Sequence, residues 1–511
     1  MCRVLRVMAG LLVCLPLQTV RGDDPAENLA GLIDQHIQAR LDAAGVQRVS
    51  PSDDAEFLRR VTLDLHGVVP SAQEAARFLQ SDHPGKRARL VEDLLASPRF
   101  GEYWGDVWRG RLVSPLANDD PRQGQRFAAW MAERFNRNDG WDRIVFDLVT
   151  ATGKMENNPA VVYLIGGRDP LGVTDLTDLT ARYFLGVRLN CAQCHDHPFV
   201  DWKQEDYWGM AAFFAQIQTP GRPKLVHRIG VQDNRQITLA TLQEADALDG
   251  FQPNPPTFLG GAPLGSASTE AHRVTLARWM TAPENPYFAR AMVNRLWWQF
   301  FGRGLVDPVD DMHEENAPSH PELLDLLSRR FVESGFDLKL LCRSILNSRT
   351  YQQTSRPGED ADREADLFAR MSVKVLTAEQ LYDSLVVILG PPGKTRAIDA
   401  RFGARHEFTA FFAEEGDPDP LRYGRGIPHA LRLMNSPQFA GQNLEALAAR
   451  VAGRSPDDAI EELYLTILAR RPTESERQLV REHLQNAKSL ATACRELAWA
   501  LLMSSEFSLN R

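Results

Sequence analysis

The sequence has few cysteines and no long apolar segment beyond its first 22 residues. Six cysteines among 511 residues are too few for the disulfide-dense scaffold of a small secreted domain. After residue 22 no uninterrupted apolar run reaches the length of about 18 residues that indicates a transmembrane helix. The formal net charge is −9 and no short cluster of Lys and Arg stands out. We therefore expect no nucleic-acid partner.

The sequence motifs of common enzyme classes are also missing. It contains no G-x-S-x-G elbow, no Walker loop, no H-E-x-x-H helix and no dinucleotide-binding fingerprint. No nucleophile and base can be paired from their spacing, so the catalytic residues are unknown and it stays open whether the protein is an enzyme. Hydrophobic residues make up 43% and charged residues 24%, which is typical of a globular protein.

The N-terminus has the pattern of a secretory signal peptide. Arg3 and Arg6 give a positive start, residues 7–20 form a short apolar region, and the tripeptide V-R-G then supplies small residues for cleavage. Cleavage removes residues 1–22, with three arginines and no acid, so the formal charge changes from −9 to −12. We expect a secreted or periplasmic protein without a transmembrane segment after signal removal. An uncleaved N-terminal anchor is the alternative.

Helical patterns dominate the mature chain. Several capping residues are followed three positions later by Glu or Gln and then by an apolar repeat of helical period. Convincing strands are few, although residues 224–240 favour a small β-hairpin that turns at Asp233 and Asn234. We predict a mainly α fold with at most this one small hairpin. The helix-start pairs are Ser71/Glu74, Ser319/Glu322, Thr377/Gln380 and Thr473/Glu476.

The composition of the chain changes between residues 219 and 268, where Pro, Gly and Ser become frequent. Such a stretch is typical of a loop or linker. We predict two multi-helical domains, residues 25–218 and 269–511, joined by a linker at 219–268. No repeat of fixed period is present, which argues against a solenoid.

A dense group of potential ligands occupies residues 191–197, with the sequence C-A-Q-C-H-D-H. C-x-x-C-H is the signature of c-type haem attachment. Cys191 and Cys194 would bond to the two vinyl groups of the haem, and His195 would bind its iron. Export would place this motif where haem attachment or thiol oxidation can occur.

The same side chains support other interpretations. Thiols and imidazoles also suit Zn²⁺, with His195 and His197 as metal ligands. Ligands so close in sequence strain a tetrahedron, so a zinc site would need donors from elsewhere in the chain. A disulfide between Cys191 and Cys194 is a third interpretation. A purely structural turn is the fourth.

A second axial haem ligand does not follow from the pattern. His197 is only two residues from His195 and cannot easily reach the opposite face of the haem. The candidates by proximity in sequence are Met155, Met210 and His227, and the additional zinc donors would be His313 or His320.

Two other clusters favour structural roles. Arg295 lies within an aromatic helix, and a buried arginine needs a carboxylate partner. Asp307, Asp310 and Asp311 follow in sequence, so we expect a salt bridge there. Aromatic residues at helical spacing after the motif are typical of a core helix. They are Trp202, Tyr207, Trp208, Phe213 and Phe214.

Several long stretches, taken together, resemble a known pair of domains. FLRRVTLDLHGVVP (57–70), LLASPRFGEYWGDVW (94–108) and LNCAQCHDHPFVDWKQEDYWGMAAFF (189–214) resemble the planctomycete secreted cytochrome-like domain of unknown function. NPYFARAMVNRLWWQFFGRGLVDPVDD (285–311) and LTAEQLYDSLVVILG (376–390) resemble its usual C-terminal partner domain, also of unknown function. The resemblance covers nearly the whole mature chain.

The resemblance implies a covalent haem c on Cys191, Cys194 and His195, but no particular reaction. We expect an exported haem protein in extracytoplasmic redox chemistry or electron transfer, with an unidentified redox protein as partner. Asp196 and His197 would orient the imidazole or a haem propionate. The alternatives are a secreted metal-dependent enzyme, for example a zinc hydrolase using His195 and His197, and a cofactor-free envelope-binding module with a disulfide in the motif.

Overall fold

The computed structural model describes most of the chain. The predicted signal peptide, residues 1–22, lies outside the described residues, as do parts of the linker. The described ranges are 25–113, 121–165, 172–219, 230–243, 254–265, 269–390, 399–412, 419–421 and 441–511.

Helices build most of the described structure, so the prediction of a mainly α fold is confirmed. Among the described helices, none combines the length and hydropathy that a membrane span requires. Up to the linker the helices are α1 (Pro25–Ala44), α2 (Asp54–His66), α3 (Ala72–Gln80), α4 (Lys86–Ala96), α5 (Pro98–Leu112), α6 (Pro121–Asn136), α7 (Trp141–Val149), α8 (Val162–Ile165), α9 (Val173–Thr180, followed by a π-helical turn) and α10 (Gln204–Ala211).

The linker and the C-terminal part continue the helical pattern. The helices there are α11 (Leu239–Gln243), α12 (His272–Met280), α13 (Phe288–Phe301), α14 (Pro321–Glu333), α15 (Leu338–Asn347), α16 (Ala361–Asp366), α17 (Ala378–Leu389), α18 (Asp399–Phe412), α19 (Gln442–Val451), α20 (Pro456–Leu468), α21 (Glu474–Asn486), α22 (Leu490–Leu502) and α23 (Ser505–Ser508).

Two small antiparallel sheets accompany the helices in the described residues. The expected hairpin turn at Asp233 and Asn234 is wrong, because the chain continues from there into α11. The Asp233 carboxylate accepts hydrogen bonds of 2.7 and 2.8 Å from the buried Arg273, which holds the end of β3 against α12. The strands are β1 (Gly153–Lys154), β2 (Ile217–Gln218) and β3 (Gly230–Asp233), in the order β1-β3-β2, and β4 (Lys374–Val375) paired with β5 (Leu509–Asn510).

Three of the four predicted helix starts are capping boxes, at α3, α17 and α21. The fourth is wrong, because α14 begins at Pro321 with His320 as its N-cap. The Ser319 hydroxyl donates instead to the Leu305 carbonyl oxygen at 3.1 Å. Proline in the first turn has no N–H to satisfy and its φ suits a helix start, so α14 begins without the box.

The stretches of sequence on either side of the linker share one hydrophobic core. Trp104 of α5 meets Phe300 of α13 edge-on, with ring centroids 6.1 Å apart. A second apolar cluster consists mainly of α17 and α19–α22 and also takes in Leu63 and Val69. Helix α2, which supplies Leu63, also contributes Phe57 to the first core. It therefore packs between the two clusters and belongs to both.

Helix α2 carries charged side chains into this interior. Arg59 and Arg60 are each 1% exposed. Arg60 donates to the carbonyl oxygens of Tyr351 and Gln353, both at 2.9 Å, and Arg59 donates to that of Phe507 at 2.7 Å. A buried guanidinium is tolerated only when such acceptors replace water. The two arginines therefore tie α2 to backbone segments far away in sequence.

Asp64 lies at the centre of a second buried network on α2. Its carboxylate accepts hydrogen bonds from Lys374 at 2.7 Å, from Asn510 at 2.7 Å and from the Tyr351 hydroxyl at 2.8 Å. Lys374 also donates to two carbonyl oxygens at the end of α13, at 2.8 and 2.9 Å. One carboxylate thus joins α2, β4 and β5, and through Lys374 it also joins α13.

We predict that Asp64→Ala destabilises the protein strongly. The change leaves the buried Lys374 ammonium without its counter-charge, which costs about 3–5 kcal/mol. Urea denaturation measures the effect as a lower midpoint. The matched control is Asp82→Ala, at an exposed position, which should change stability by less than about 0.5 kcal/mol. Equal midpoints for the two variants would contradict the role of Asp64.

Candidate functional site

The C-x-x-C-H motif lies on an exposed turn. Cys191 belongs to the 3₁₀ turn Asn190–Gln193, and Cys194 and His195 follow directly. Both thiols are exposed and free, without a disulfide between them, and His195 is exposed as well. Ala192 between the cysteines is fully buried and anchors the turn to the core. The three groups of the haem signature are therefore accessible together.

Helix α10 holds this turn in place. The Gln204 side chain donates to the carbonyl oxygens of Gln193 and Cys194, both at 3.1 Å. The buried Trp208 indole donates to the Gln193 carbonyl oxygen at 3.1 Å. In return, the Asp196 carboxylate accepts the Gln204 backbone N–H at 2.9 Å. The turn and the start of α10 thus satisfy each other's backbone groups.

The His195 ring has a defined tautomer. Its Nδ1 lies 2.7 Å from the Asp196 carbonyl oxygen. A carbonyl oxygen can only accept, so Nδ1 carries the proton and the neutral ring keeps its lone pair on Nε2. Histidines that bind metals usually donate their second N–H to a carbonyl or carboxylate in this way. The main-chain carbonyl group of Asp196 therefore orients the imidazole.

The His197 ring is bound the opposite way. Its Nδ1 accepts the backbone N–H groups of Phe199 at 3.3 Å and of Val200 at 3.2 Å, so the neutral ring carries its proton on Nε2. The His197 backbone N–H donates to the Trp202 carbonyl oxygen at 2.8 Å. In this arrangement His197 organises the loop after the motif, and its ring has no lone pair left for a metal.

The other expected ligands lie elsewhere. Met155 and Met210 are buried in the core, at 1% and 0% exposure, and His227 lies outside the described residues. His313 is half-buried on a turn before α14, and burial lowers the pKa of His320 to about 4. Within the described ranges, no group of three or more His, Cys, Asp or Glu side chains is placed to hold a metal ion.

The salt bridge of Arg295 and the aromatic residues after the motif both have structural roles, as the sequence predicts. Arg295 pairs with the buried Asp310, as predicted, and its guanidinium lies 4.7 Å from the centre of the Tyr183 ring. Asp310 also accepts a hydrogen bond from Arg182 at 2.7 Å. Trp202 is half-buried. The other aromatic residues after the motif are fully buried, namely Tyr207, Trp208, Phe213 and Phe214.

The buried charges of α2 were not predicted from the sequence. The signal was nevertheless present, because Arg59, Arg60 and Asp64 occur in a helix that is apolar on several faces. A helix with apolar residues all round is buried, so charges within it need internal partners. Apart from Glu56, which pairs with Arg60 one turn earlier, those partners lie about 300 positions away and more, where no local pattern can identify them.

Comparison with known proteins matches two family models, in the expected order. Residues 32–219 match PSCyt2, described as a protein of unknown function (DUF1549), and residues 272–401 match PSD1, described as a protein of unknown function (DUF1553). The exposed C-x-x-C-H turn lies within the first match. No curated protein and no solved structure matches the chain. The expected succession of two domains of unknown function is therefore confirmed, and neither description names a reaction.

We predict that His197→Ala loosens the loop after the motif and leaves the rest of the fold intact. The backbone N–H groups of Phe199 and Val200 lose their acceptor, a loss of about 1 kcal/mol for each hydrogen bond. Hydrogen exchange should therefore become several-fold faster at these two amides. The matched control is His195→Ala, whose ring accepts from neither amide and should leave their exchange unchanged. Unchanged exchange in His197→Ala would contradict the role of His197.

Proposed function

We propose that the protein is an exported c-type haem protein that takes part in extracytoplasmic redox chemistry or electron transfer. One observation carries the proposal. Cys191, Cys194 and His195 lie together on an exposed turn, and the His195 ring is held with its Nε2 lone pair available. Two thiols and an imidazole at this spacing are the groups that covalent haem attachment uses.

The attachment chemistry fits the state of these residues. Each thiol would add its S–H bond across one vinyl group of the haem, so two thioether bonds form, no group leaves and no oxidant is needed. The reaction requires reduced and accessible thiols, and Cys191 and Cys194 are both free and exposed. When bound, the haem iron would supply one-electron redox chemistry. His195 would be its ligand through Nε2, while the Asp196 carbonyl oxygen keeps the ring oriented.

The number of available protein ligands favours haem over a bare metal ion. A structural or catalytic zinc site needs three or four protein ligands. The described residues hold no group of three suitable side chains. In a haem the porphyrin supplies four nitrogens, so one imidazole is sufficient on the protein side. A metal-dependent hydrolase using His195 and His197 therefore fits the described residues less well than a haem protein.

The surface beside the turn also suits an apolar cofactor. Phe199 is 82% exposed, and its ring lies edge-on to the His197 ring with centroids 6.3 Å apart. Phe199 therefore adds exposed apolar surface to the loop directly after the motif.

The test is to export the chain, with its signal peptide, in a bacterium that has c-type haem-attachment machinery. The purified protein should show a Soret band, and its intact mass after denaturation should include one haem. Changing both Cys191 and Cys194 to Ser should abolish the mass adduct. His195→Ala should keep the adduct but shift the Soret band and the reduction potential. The matched control is Cys342→Ala, at a buried cysteine in α15, which should retain both signals.

Three results would overturn the proposal. Colourless protein with the unmodified mass excludes covalent haem. Zinc found by elemental analysis in such material would favour the metal-dependent enzyme. If the protein has two free thiols fewer than the reduced chain, the result would favour the binding module with a Cys191–Cys194 disulfide.

A further inference from the structure

A cleft away from the C-x-x-C-H turn opens where α2, α5 and α6 meet α17 and α18. Its volume is about 480 Å³. Small-molecule sites typically have volumes of about 300–1,000 Å³ and are frequent where two parts of a chain meet. The lining combines apolar side chains with charged groups of both signs. For three polar side chains of the lining, Arg405, His66 and Arg99, the hydrogen bonds show which donor or acceptor is left for a ligand.

The guanidinium group of Arg405 is held in a fixed position in the cleft. Its Nε and Nη2 donate to the Asp383 carboxylate at 3.0 and 2.7 Å, and Nη2 lies 3.0 Å from the Asp106 carboxylate. The side chain is 17% exposed, so two carboxylates from different helices fix its position. In the described part of the chain, Nη1 has no hydrogen-bond partner. Arg405 therefore offers a fixed donor to a molecule in the cleft.

His66 at the end of α2 offers an acceptor. Its Nε2 lies 2.9 Å from the Leu94 carbonyl oxygen, which can only accept, so Nε2 carries the proton. Burial lowers the pKa of His66, against a smaller opposing effect of the Leu94 hydrogen bond, and this favours the neutral ring. Its Nδ1 lone pair has no partner among the described residues. A ligand atom at this position must therefore donate a hydrogen bond.

Arg99 at the start of α5 offers the complementary group. Its guanidinium makes no hydrogen bond or ion pair within the described ranges, although it lines the same cleft as His66. A ligand atom beside it must accept hydrogen bonds, and the planar guanidinium suits the two oxygens of a carboxylate or phosphate group. Arg99 and His66 together therefore select a molecule with a hydrogen-bond acceptor beside Arg99 and a hydrogen-bond donor beside His66.

We propose that this cleft binds a small polyhydroxylated acid, a molecule that carries an oxyanion and a neighbouring hydroxyl group. Arg99 binds the oxyanion, which is a carboxylate or a phosphate. His66 accepts the hydrogen bond of the hydroxyl through Nδ1, and Arg405 donates to a further oxygen. The site shares no residue with the proposed haem site, so either proposal can fail without the other.

Titration calorimetry on the exported full-length protein tests the site with four probes. Gluconate carries a carboxylate and hydroxyls, sorbitol 6-phosphate carries a phosphate and hydroxyls, sorbitol lacks the oxyanion, and hexanoate lacks the hydroxyls. We expect gluconate or sorbitol 6-phosphate to bind at least tenfold more tightly than sorbitol and hexanoate. Whichever of the two binds more tightly identifies the oxyanion.

Variants assign the binding to the named groups. Arg99→Gln should weaken binding of the better acid at least tenfold, and His66→Leu should remove its advantage over hexanoate. The matched control is Arg137→Gln, at an exposed arginine of the N-terminal half, which should leave binding unchanged. Arg99→Gln decides the case even if His66→Leu does not fold. Binding of no probe, equal binding of sorbitol, or full affinity in Arg99→Gln would overturn the proposal.

Discussion

The structure depends on the placement of charge inside helix α2. Arg59, Arg60 and Asp64 project from one helix into an interior made by both parts of the chain, and each has partners in distant segments, while Arg60 also pairs with Glu56 one turn earlier on α2. A buried charge without a partner costs several kcal/mol, whereas the same charge with several hydrogen bonds is tolerated. The arrangement therefore specifies which segments must surround α2. Apolar packing alone would permit many other arrangements.

Main-chain carbonyl oxygens, which accept hydrogen bonds from the buried arginines of α2, also orient two histidine rings nearer the surface. A carbonyl oxygen that can only accept fixes the proton on Nδ1 of His195 and on Nε2 of His66. The two rings consequently present opposite nitrogens, Nε2 at the turn and Nδ1 in the cleft. In both cases the backbone holds the ring in one orientation, which would lower the entropy lost if a ligand bound there. Ligand chemistry can thus be inferred from the backbone around a histidine.

Local patterns in the sequence were sufficient for the helical class and for three of the four helix starts predicted from capping pairs. The pairing of Arg295 with Asp310 also followed, because the two lie within one short stretch. The turn at Asp233 was misplaced, since the buried Arg273 that binds this carboxylate lies 40 positions away. The C-x-x-C-H motif was evident from spacing. The tautomers of His195 and His197 were not, because they depend on which backbone group each ring meets.

The partners of Asp64 have a consequence for the order of folding. Lys374 and Asn510 follow Asp64 by 310 and 446 positions. A nascent chain that has reached only the C-x-x-C-H segment lacks both, so α2 cannot yet bury its charges. Contacts across such separations form slowly, because long loops must close first. The thiols of the motif are therefore synthesised well before the residues that complete the interior around α2.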